Sequence, residues 1–508
     1  MSRVLLPGSA PTPRSSKDPP RPAATALRGV AYLAAGTVLV RAASLLAQLA
    51  LGKLLLKDDF GLYALTVTVW TFVQLLTNPG LDDVLIARKA RIHLWAPQAV
   101  WISLLLGVLG TLAMLAAAPI AARAYADPSV GPLVLITAMA AIPSALSLVP
   151  AALIRARLRF RLWAGYLAAS QILLFALQVS LAYAGFGARA FVIPIPIVAA
   201  LGMVFLWFAA PPPMRAAPQV RRWRHLVGDG VPLLGVRVVQ TLQGNADRMV
   251  LGVVAATGVV GVYYFAFQIA TQVSRVLAAN LNQALFPGLA GLRDQPERQL
   301  AGTLAASRLV GLVGVPAGCL QAACIGPLLR LMFGGKWDAA ILPAQIMSIA
   351  VGIDCMAWAG ASLMQAQRRF RLMLAMQIGA CAALLAMLAV AGLLAHDGTQ
   401  AVAIAGATAA YLAVVPALAF GIAIRAAGGR WTDLGGVYAP PVLLSIPAGL
   451  AAFAAAAWVP GAGPATEAFR IVAALGVGGA TYLVLALALA RPLLIELFSR
   501  LRDAAARR

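Results

Sequence analysis

A hydrocarbon core about 30 Å thick is crossed by about 20 residues of α-helix, and apolar runs of at least that length recur from residue 29 to residue 490. Pro, Gly and short charged clusters separate them, and no stretch between them is long enough for a soluble domain. With 61% hydrophobic residues, 11% charged residues and a mean hydropathy of +0.86, the chain has too little polar surface to fold in water. The net charge of +23 is spread over short clusters between the apolar runs and forms no single basic face, which argues for topology rather than nucleic acid. An all-α, polytopic membrane protein is the expectation.

Reading the runs against their punctuation gives spans near 29–51, 60–80, 98–122, 130–154, 162–184 and 190–210. A Pro- and Arg-rich linker at 211–228 follows, then spans near 229–255, 259–285, 301–328, 339–364, 372–394 and 399–424. Two more, near 436–459 and 467–490, make fourteen. Lys and Arg test the count, because they concentrate in cytoplasmic loops. With the N-terminus inside, 28 of the 40 fall on the cytoplasmic side and seven on the other, and Arg41, Arg237, Arg248, Arg275 and Arg308 lie within spans. Both termini are therefore expected in the cytoplasm. The predicted units are a disordered tail (1–28), a first lobe (29–210), the cytoplasmic linker (211–228), a second lobe (229–424), a helix pair (425–490) and a basic tail (491–508). Cys319, Cys324, Cys355 and Cys381 lie in apolar segments without metal-ligand spacing, and His93, His225 and His396 are scattered in loops, so no metal or cofactor is expected.

The chain repeats itself. Leu51, Gly52, Gly61 and Tyr63 recur as Leu251, Gly252, Gly261 and Tyr263, displaced by 200 residues. Residues 151–162 (AALIRARLRFRL) match 361–372 (ASLMQAQRRFRL) at seven of twelve positions, in the link between the fourth and fifth spans of each half. Such matches point to duplication of a six-helix unit, and an even number of spans gives the copies the same orientation. Parallel-repeat bundles of this kind are a transporter architecture, with the substrate path between the halves.

Polar residues inside spans are costly and mark function. Arg237, Gln240, Gly244 and Asp247 share one stripe of the seventh span, and Gln268, Gln272, Arg275, Ala279 and Asn282 form another on the eighth. Arg41, Ser44 and Gln48 share a face of the first span, and Arg308 follows Ser307 early in the ninth. These stripes are expected to line a cavity. Snorkelling to the interface competes with that role for Arg237 and Arg308, near the cytoplasmic ends. Asp247 and the adjacent Arg248 suit a structural lock. Asp354, deep in the tenth span, is expected to pair with an arginine or else to bind a coupling H⁺ or Na⁺. Asp82 and Asp83 are expected to cap the cytoplasmic end of the second span.

The segments LGKLLLKDDFGLYAL (51–65) and NADRMVLGVVAATGVVGVYYFAFQIA (245–270) resemble the Wzx-type oligosaccharide flippases. These belong to the multidrug/oligosaccharidyl-lipid/polysaccharide (MOP) superfamily, and the resemblance covers about residues 28–425. It implies two six-helix lobes forming a V that alternates between cytoplasm and periplasm, with the last two spans as the extra pair of fourteen-helix members. It also implies an undecaprenyl-diphosphate-linked glycan as cargo, flipped across the bacterial inner membrane for polysaccharide biosynthesis. The polymerase and glycosyltransferases of the same pathway are the implied partners. Guanidinium groups suit a diphosphate because they present fixed paired donors to its oxygens. On that ground Arg41, Gln48, Arg237, Gln240, Gln272, Arg275 and Arg308 are the candidate substrate residues. Asp247, Arg248 and Asp354 are the candidates for ion coupling or a buried ion pair.

A polytopic glycan polymerase or ligase would gather acids or histidines on a sizeable extracytoplasmic loop, and the longest candidate, around Phe333 to Ala340, offers Lys336 and Asp338. The sequence carries no phosphate-loop motif for ATP hydrolysis. An enzyme is not expected. Rivals within the superfamily are an exporter of cationic drugs, which an arginine excess disfavours, and the peptidoglycan-precursor (lipid II) flippase, which charge leaves open.

Overall fold

The computed structural model describes residues 39–88, 92–213, 219–272, 295–396 and 398–489, and among them every regular element is a helix. The first half comprises α1 (39–54), α2 (Lys57–Thr77), α3 (Leu81–Ala87), α4 (Ile92–Ala124), α5 (Val130–Ala138), α6 (Ala141–Ala156), α7 (Phe160–Tyr183), α8 (Arg189–Val192) and α9 (Pro194–Ala209). The second comprises α10 (Val220–Val254), α11 (Thr257–Ala270), α12 (Pro296–Phe333), α13 (Asp338–Asp354), α14 (Trp358–Ala366), α15 (Phe370–Leu394) and α16 (Gln400–Ala426). A C-terminal pair follows, α17 (Trp431–Trp458) and α18 (Pro464–Leu489).

Eleven helical stretches among the described residues are long and apolar enough to cross a bilayer. Several are two elements in series, such as α2 with α3 and α13 with α14. The other three expected spans correspond to α1, α10 and α11. The tails 1–28 and 491–508 lie outside the described residues. This is a multi-pass, all-helical membrane protein. Helices α7, α15 and α18 bury the smallest share of their apolar membrane-length stretches, 17% each. Tyr183, Phe208, Trp431 and Trp458 are exposed at or next to helix ends, and Trp and Tyr are enriched at such positions in membrane proteins.

The duplication is present residue by residue. Leu158 and Arg368 hold φ of 55° and 56°, the same left-handed turn in each copy of the RFRL link. In one copy the amides of Arg157, Leu158 and Arg159 donate to the carbonyls of Leu153, Arg155 and Ile154. In the other, those of Gln367, Arg368 and Arg369 donate to Leu363, Gln365 and Met364.

The first signature is a crossing of α2 over α11. A Cβ on Gly61 would run into the carbonyl oxygen of Thr257, and one on Gly261 into that of Lys57. Gly52 faces Phe265 and Phe333, and Gly252 faces Leu65 and Tyr125. The contacts of Gly61 with Thr257 and Gly261 with Lys57, and of Gly52 with Phe265 and Gly252 with Leu65, are therefore partners at the same displacement, as a local two-fold axis between the halves requires. Glycine is needed because no side chain fits between backbones this close.

Two findings differ from expectation. α10 starts at Val220, inside the expected linker, because the Oε1 of buried Gln98 accepts from the Gln219 backbone amide (2.7 Å) and from Trp223 Nε1 (3.1 Å), seating that turn on the first half. Asp82 and Asp83 do not cap the end of α2. The chain turns at Asn78 to Gly80, where Gly80 has φ 92°, and both carboxylates fall in the first turn of α3, the electrostatically favourable end of a helix.

Small residues weld the C-terminal pair to α12. Gly449 meets Cys319, and Gly478 meets Ala452, Leu320 and the carbonyl of Ala448, the close approach that substitutes for a hydrophobic driving force within lipid.

Candidate transport site

At the end where α2 crosses α11, the halves are shut by an aromatic plug. Buried Trp337 stacks on Phe265 at 3.9 Å, and Phe60 stands edge-on to Phe191, Phe265 and Trp337. Trp337 Nε1 donates to the carbonyl of Gly52 (3.0 Å). Beside it, Lys336 Nζ donates to the carbonyls of Gly52, Lys53 and Leu55 at 3.0, 3.0 and 2.6 Å. These are the last carbonyls of α1 and its turn, which a helix leaves unpaired. Burial, ahead of the opposing pull of Asp59, holds the Lys336 pKa below the lysine value of 10.5. Across the axis, Thr257 Oγ1 donates to Asp127 Oδ2 (2.7 Å) and the Ser129 amide to Asp127 Oδ1 (2.9 Å). Burial alone would raise the Asp127 carboxyl, but these hydrogen bonds outweigh it and hold the group below 3.8. The 334–337 turn thus clasps the first half and the 125–129 turn clasps the second.

A cavity of about 450 Å³ lies within the second half, walled by α10, α11, α13, α14, α15 and α16. Gln240, Gln243, Gly244 and Asp247 line it from α10, with Phe267, Asp354, Trp358, Thr408 and Tyr411 around them. A second cavity of 250 Å³ shares Gln243, Trp358, Tyr411 and Pro416 with it and reaches Met364, Met373 and Met376. Asp247 is buried and accepts from Tyr263 Oη (2.7 Å), which is 3.2 Å from Thr408 Oγ1. Asp354 accepts from Trp358 Nε1 (3.0 Å), one turn along the chain, and pairs with no arginine among the described residues. Gln243 donates to Tyr411 Oη and accepts from Gln377 Nε2 (3.3 Å).

Among the described residues the chamber's lining therefore holds two carboxylates, aromatic rings and amides, and no arginine. Of the seventh-span stripe, Gln240, Gly244 and Asp247 face it, whereas Arg237 turns away. Arg237 Nη2 lies 2.6 Å from Asp83 Oδ2 and 3.9 Å from Asp82 Oδ1, and its Nη1 donates to the Asn78 carbonyl (3.1 Å). Arg248 bonds to Asn245 Oδ1 and the Gly244 carbonyl on its own helix, lies 3.7 Å from Asp247, and sits over the Tyr264 and Phe267 rings of α11. Arg308 packs against Gly436 of α17, its Nε buried without a partner among the described residues, and lines neither cavity. Arg41 is half-buried on α1, and Arg275 lies outside the described residues.

Gln48 and Gln272, from different halves, are brought together: Gln272 Nε2 donates to Gln48 Oε1 (3.1 Å). Gln48 also lines a small cavity of 70 Å³ with Ser44, Tyr63, Phe175, Gln178, Tyr264 and Gln268. That lining is neutral and rich in aromatic rings and amides.

Sequence reasoning passed over Gln243, Trp358, Tyr263, Thr408 and Tyr411. Two signals were present: Trp358 stands four residues after Asp354, one helical turn, and Gln243 stands four before Asp247. The contacts of Tyr263 with Asp247 and of Thr408 with Tyr263 span up to 145 residues and have no local signal.

The model of one protein family, described as polysaccharide biosynthesis protein, matches residues 50–342, more than half of the sequence. The chain belongs to the polysaccharide biosynthesis protein family. Among relatives of this family member, the lipopolysaccharide biosynthesis protein WzxC of Escherichia coli (strain K12) is 23% identical over 345 residues, 64% of this chain. The match spans 66% of that relative's length. Among solved structures, the lipid II flippase MurJ in an inward closed conformation superposes with a TM-score of 0.75 at 11% identity, covering 91% of this chain and 99% of MurJ. An inward-facing multidrug resistance MATE family transporter of the MOP superfamily gives 0.59 at 16% identity, covering 76% and 94%. At these identities the likeness is one of fold. It places this family member in the MOP fold.

Proposed function

We propose that this protein is a transporter that flips a lipid-diphosphate-linked oligosaccharide from the cytoplasmic to the periplasmic leaflet of a bacterial inner membrane. Membership of the polysaccharide biosynthesis family carries this reading, and the paired lobes meeting at a glycine crossing supply a gate for alternating access. The lysine and arginine distribution puts both termini in the cytoplasm, so the plugged end faces the periplasm and the cargo enters from the other end.

The anionic and cationic tasks fall in different places. Arg41, Arg237 and Arg275, with Gln48 and Gln272, serve the diphosphate and the first sugars between the lobes. Arg308 is set against α17, away from that path. The chamber with Asp247 and Asp354 serves a coupling cation, H⁺ or Na⁺, because Asp354, which pairs with no arginine among the described residues, draws positive charge into a low-dielectric interior. The polymerase and glycosyltransferases of the pathway are the expected partners. The same acidic, aromatic chamber favours one rival, export of an organic cation, since Trp358, Tyr411 and Phe267 offer ring faces beside the carboxylates.

The test is translocation of a labelled undecaprenyl-diphosphate oligosaccharide by the purified protein in proteoliposomes, against empty vesicles and an Asp354→Asn variant. Protein-dependent flipping is expected, with its response to an imposed ion gradient lost in the variant. Absence of flipping together with efflux of an organic cation would replace this reading by the exporter.

A further inference from the structure

Helix α10 belongs to both lobes. Its far half, with Gln240, Gln243 and Asp247, lines the second-lobe chamber and is bonded to Tyr411 and Gln377. Its near half is fastened to the first lobe twice. Gln98 holds the Gln219 amide and the Trp223 indole, and Arg237 grips the α2–α3 turn through Asp83 and the Asn78 carbonyl. Any movement that parts the lobes at this end must strain α10 or release one of these fastenings.

The two fastenings differ in kind. The Gln98 side chain is buried, 1% exposed, and its contacts are sealed among apolar residues of α3, α4 and α6. The Arg237–Asp83 pair is open to solvent, with side chains 31% and 49% exposed. Asp82, the other acid of that turn, is committed to Arg155 at 2.8 Å and lies 3.9 Å from Arg237. Arg237 is thus held by a single exposed carboxylate and a carbonyl. An exposed pair of this type is weak and readily exchanged, and a diphosphate, with more charge and two phosphate groups to engage the planar guanidinium, outcompetes a lone carboxylate.

We propose that Arg237 and Asp83 form an inter-lobe lock on the cytoplasmic end, and that an anionic diphosphate head group opens it by taking the Arg237 donors away from Asp83. The proposal rests on the reading of the cargo as a lipid diphosphate. It turns Arg237 from one lining residue among several into the element that couples cargo arrival to lobe separation. It also explains why an arginine about eight residues from the expected end of its span is tied to protein rather than extended to lipid.

The experiment measures the distance between spin labels on Arg159→Cys and Arg369→Cys, exposed equivalents in the two lobes at this end; the four native cysteines are buried. Asp83→Asn is expected to enrich the separated population about two- to five-fold, the range set by an exposed ion pair. Inorganic diphosphate should bring the unsubstituted lock to the same level and add nothing in Asp83→Asn. Arg237→Gln should be separated and blind to diphosphate. Distances unchanged by Asp83→Asn in a protein of normal abundance would overturn the lock, and a lock opened by Asp83→Asn but untouched by diphosphate would overturn its release by the anion. Because distances are read without transport, loss of cargo flipping with an intact distance response would remove the cargo reading and leave the lock standing. Working transport without a diphosphate response would remove the release by the anion alone.

Discussion

At the scale of single residues, the crossing at Gly61 and Gly261 and the chamber acids divide the labour. The glycines are alike in both halves because they share one contact, related by the local axis. The acids are not alike: the position 200 residues before Asp247 is Ala47, so the first half keeps Tyr63 as the counterpart of Tyr263 but has no carboxylate for it. Tyr63 instead stacks on Phe191 at 4.4 Å. Gly261→Ala is expected to cost about 1–3 kcal/mol, as overpacking against unyielding backbone does, whereas Gly379→Ala, with nothing within 4 Å of its Cβ, should change little. Thermal unfolding in detergent compares them, and an equal effect of both would mean that the crossing is looser than described here. The glycines and Asp247 were legible in the sequence because a repeat and a helical stripe exposed them. The anchors Lys336 and Trp337 were not, since their partners Gly52 to Leu55 lie more than 280 residues away. Among the described residues the partner of Asp354 is not an arginine but a tryptophan one turn along its own chain.

At the scale of elements, hydropathy and charge alternation located the spans well, because lipid imposes one length and one secondary structure on whatever crosses it. Ends were harder to place. The start of α10 reaches into an Arg-rich stretch that composition assigned to a linker, and only the cross-chain contacts of Gln98 explain why it is helical there. The RFRL links carry the clearest local test. Leu158 and Arg368 sit in a backbone region that costs a side-chain-bearing residue about 1–2 kcal/mol. Leu158→Gly and Arg368→Gly should therefore each raise stability by up to about 1 kcal/mol after glycine's own entropy is counted, and by similar amounts. A loss of stability in either variant would mean that the side chain, not the turn, is what the duplication preserves.

At the scale of the whole molecule, the account is one of two like lobes with unlike contents. The architecture was legible because duplication leaves sequence traces. The distribution of charge between the lobes was not, because helical stripes tell which residues share a face but not which neighbour that face meets. Arg237 and Arg308 each found a protein surface of their own, Arg248 lies beside Asp247, and among the described residues the lining of the second-lobe chamber holds carboxylates and no arginine. Alternation between the two faces requires α2 and α11 to part at the plugged end. Asp58 and Gly258 occupy equivalent first turns there, and a Cβ on Gly258 lies 2.5 Å from Asp58 Oδ1 and 3.6 Å from its Cγ, close enough for a disulfide. The most direct measurement is translocation of labelled undecaprenyl-diphosphate oligosaccharide by the Asp58→Cys/Gly258→Cys protein, oxidised and then reduced. The account predicts flipping that stops when the bond forms and returns when it is reduced. Undiminished flipping by the fully cross-linked protein would contradict passage between alternating lobes.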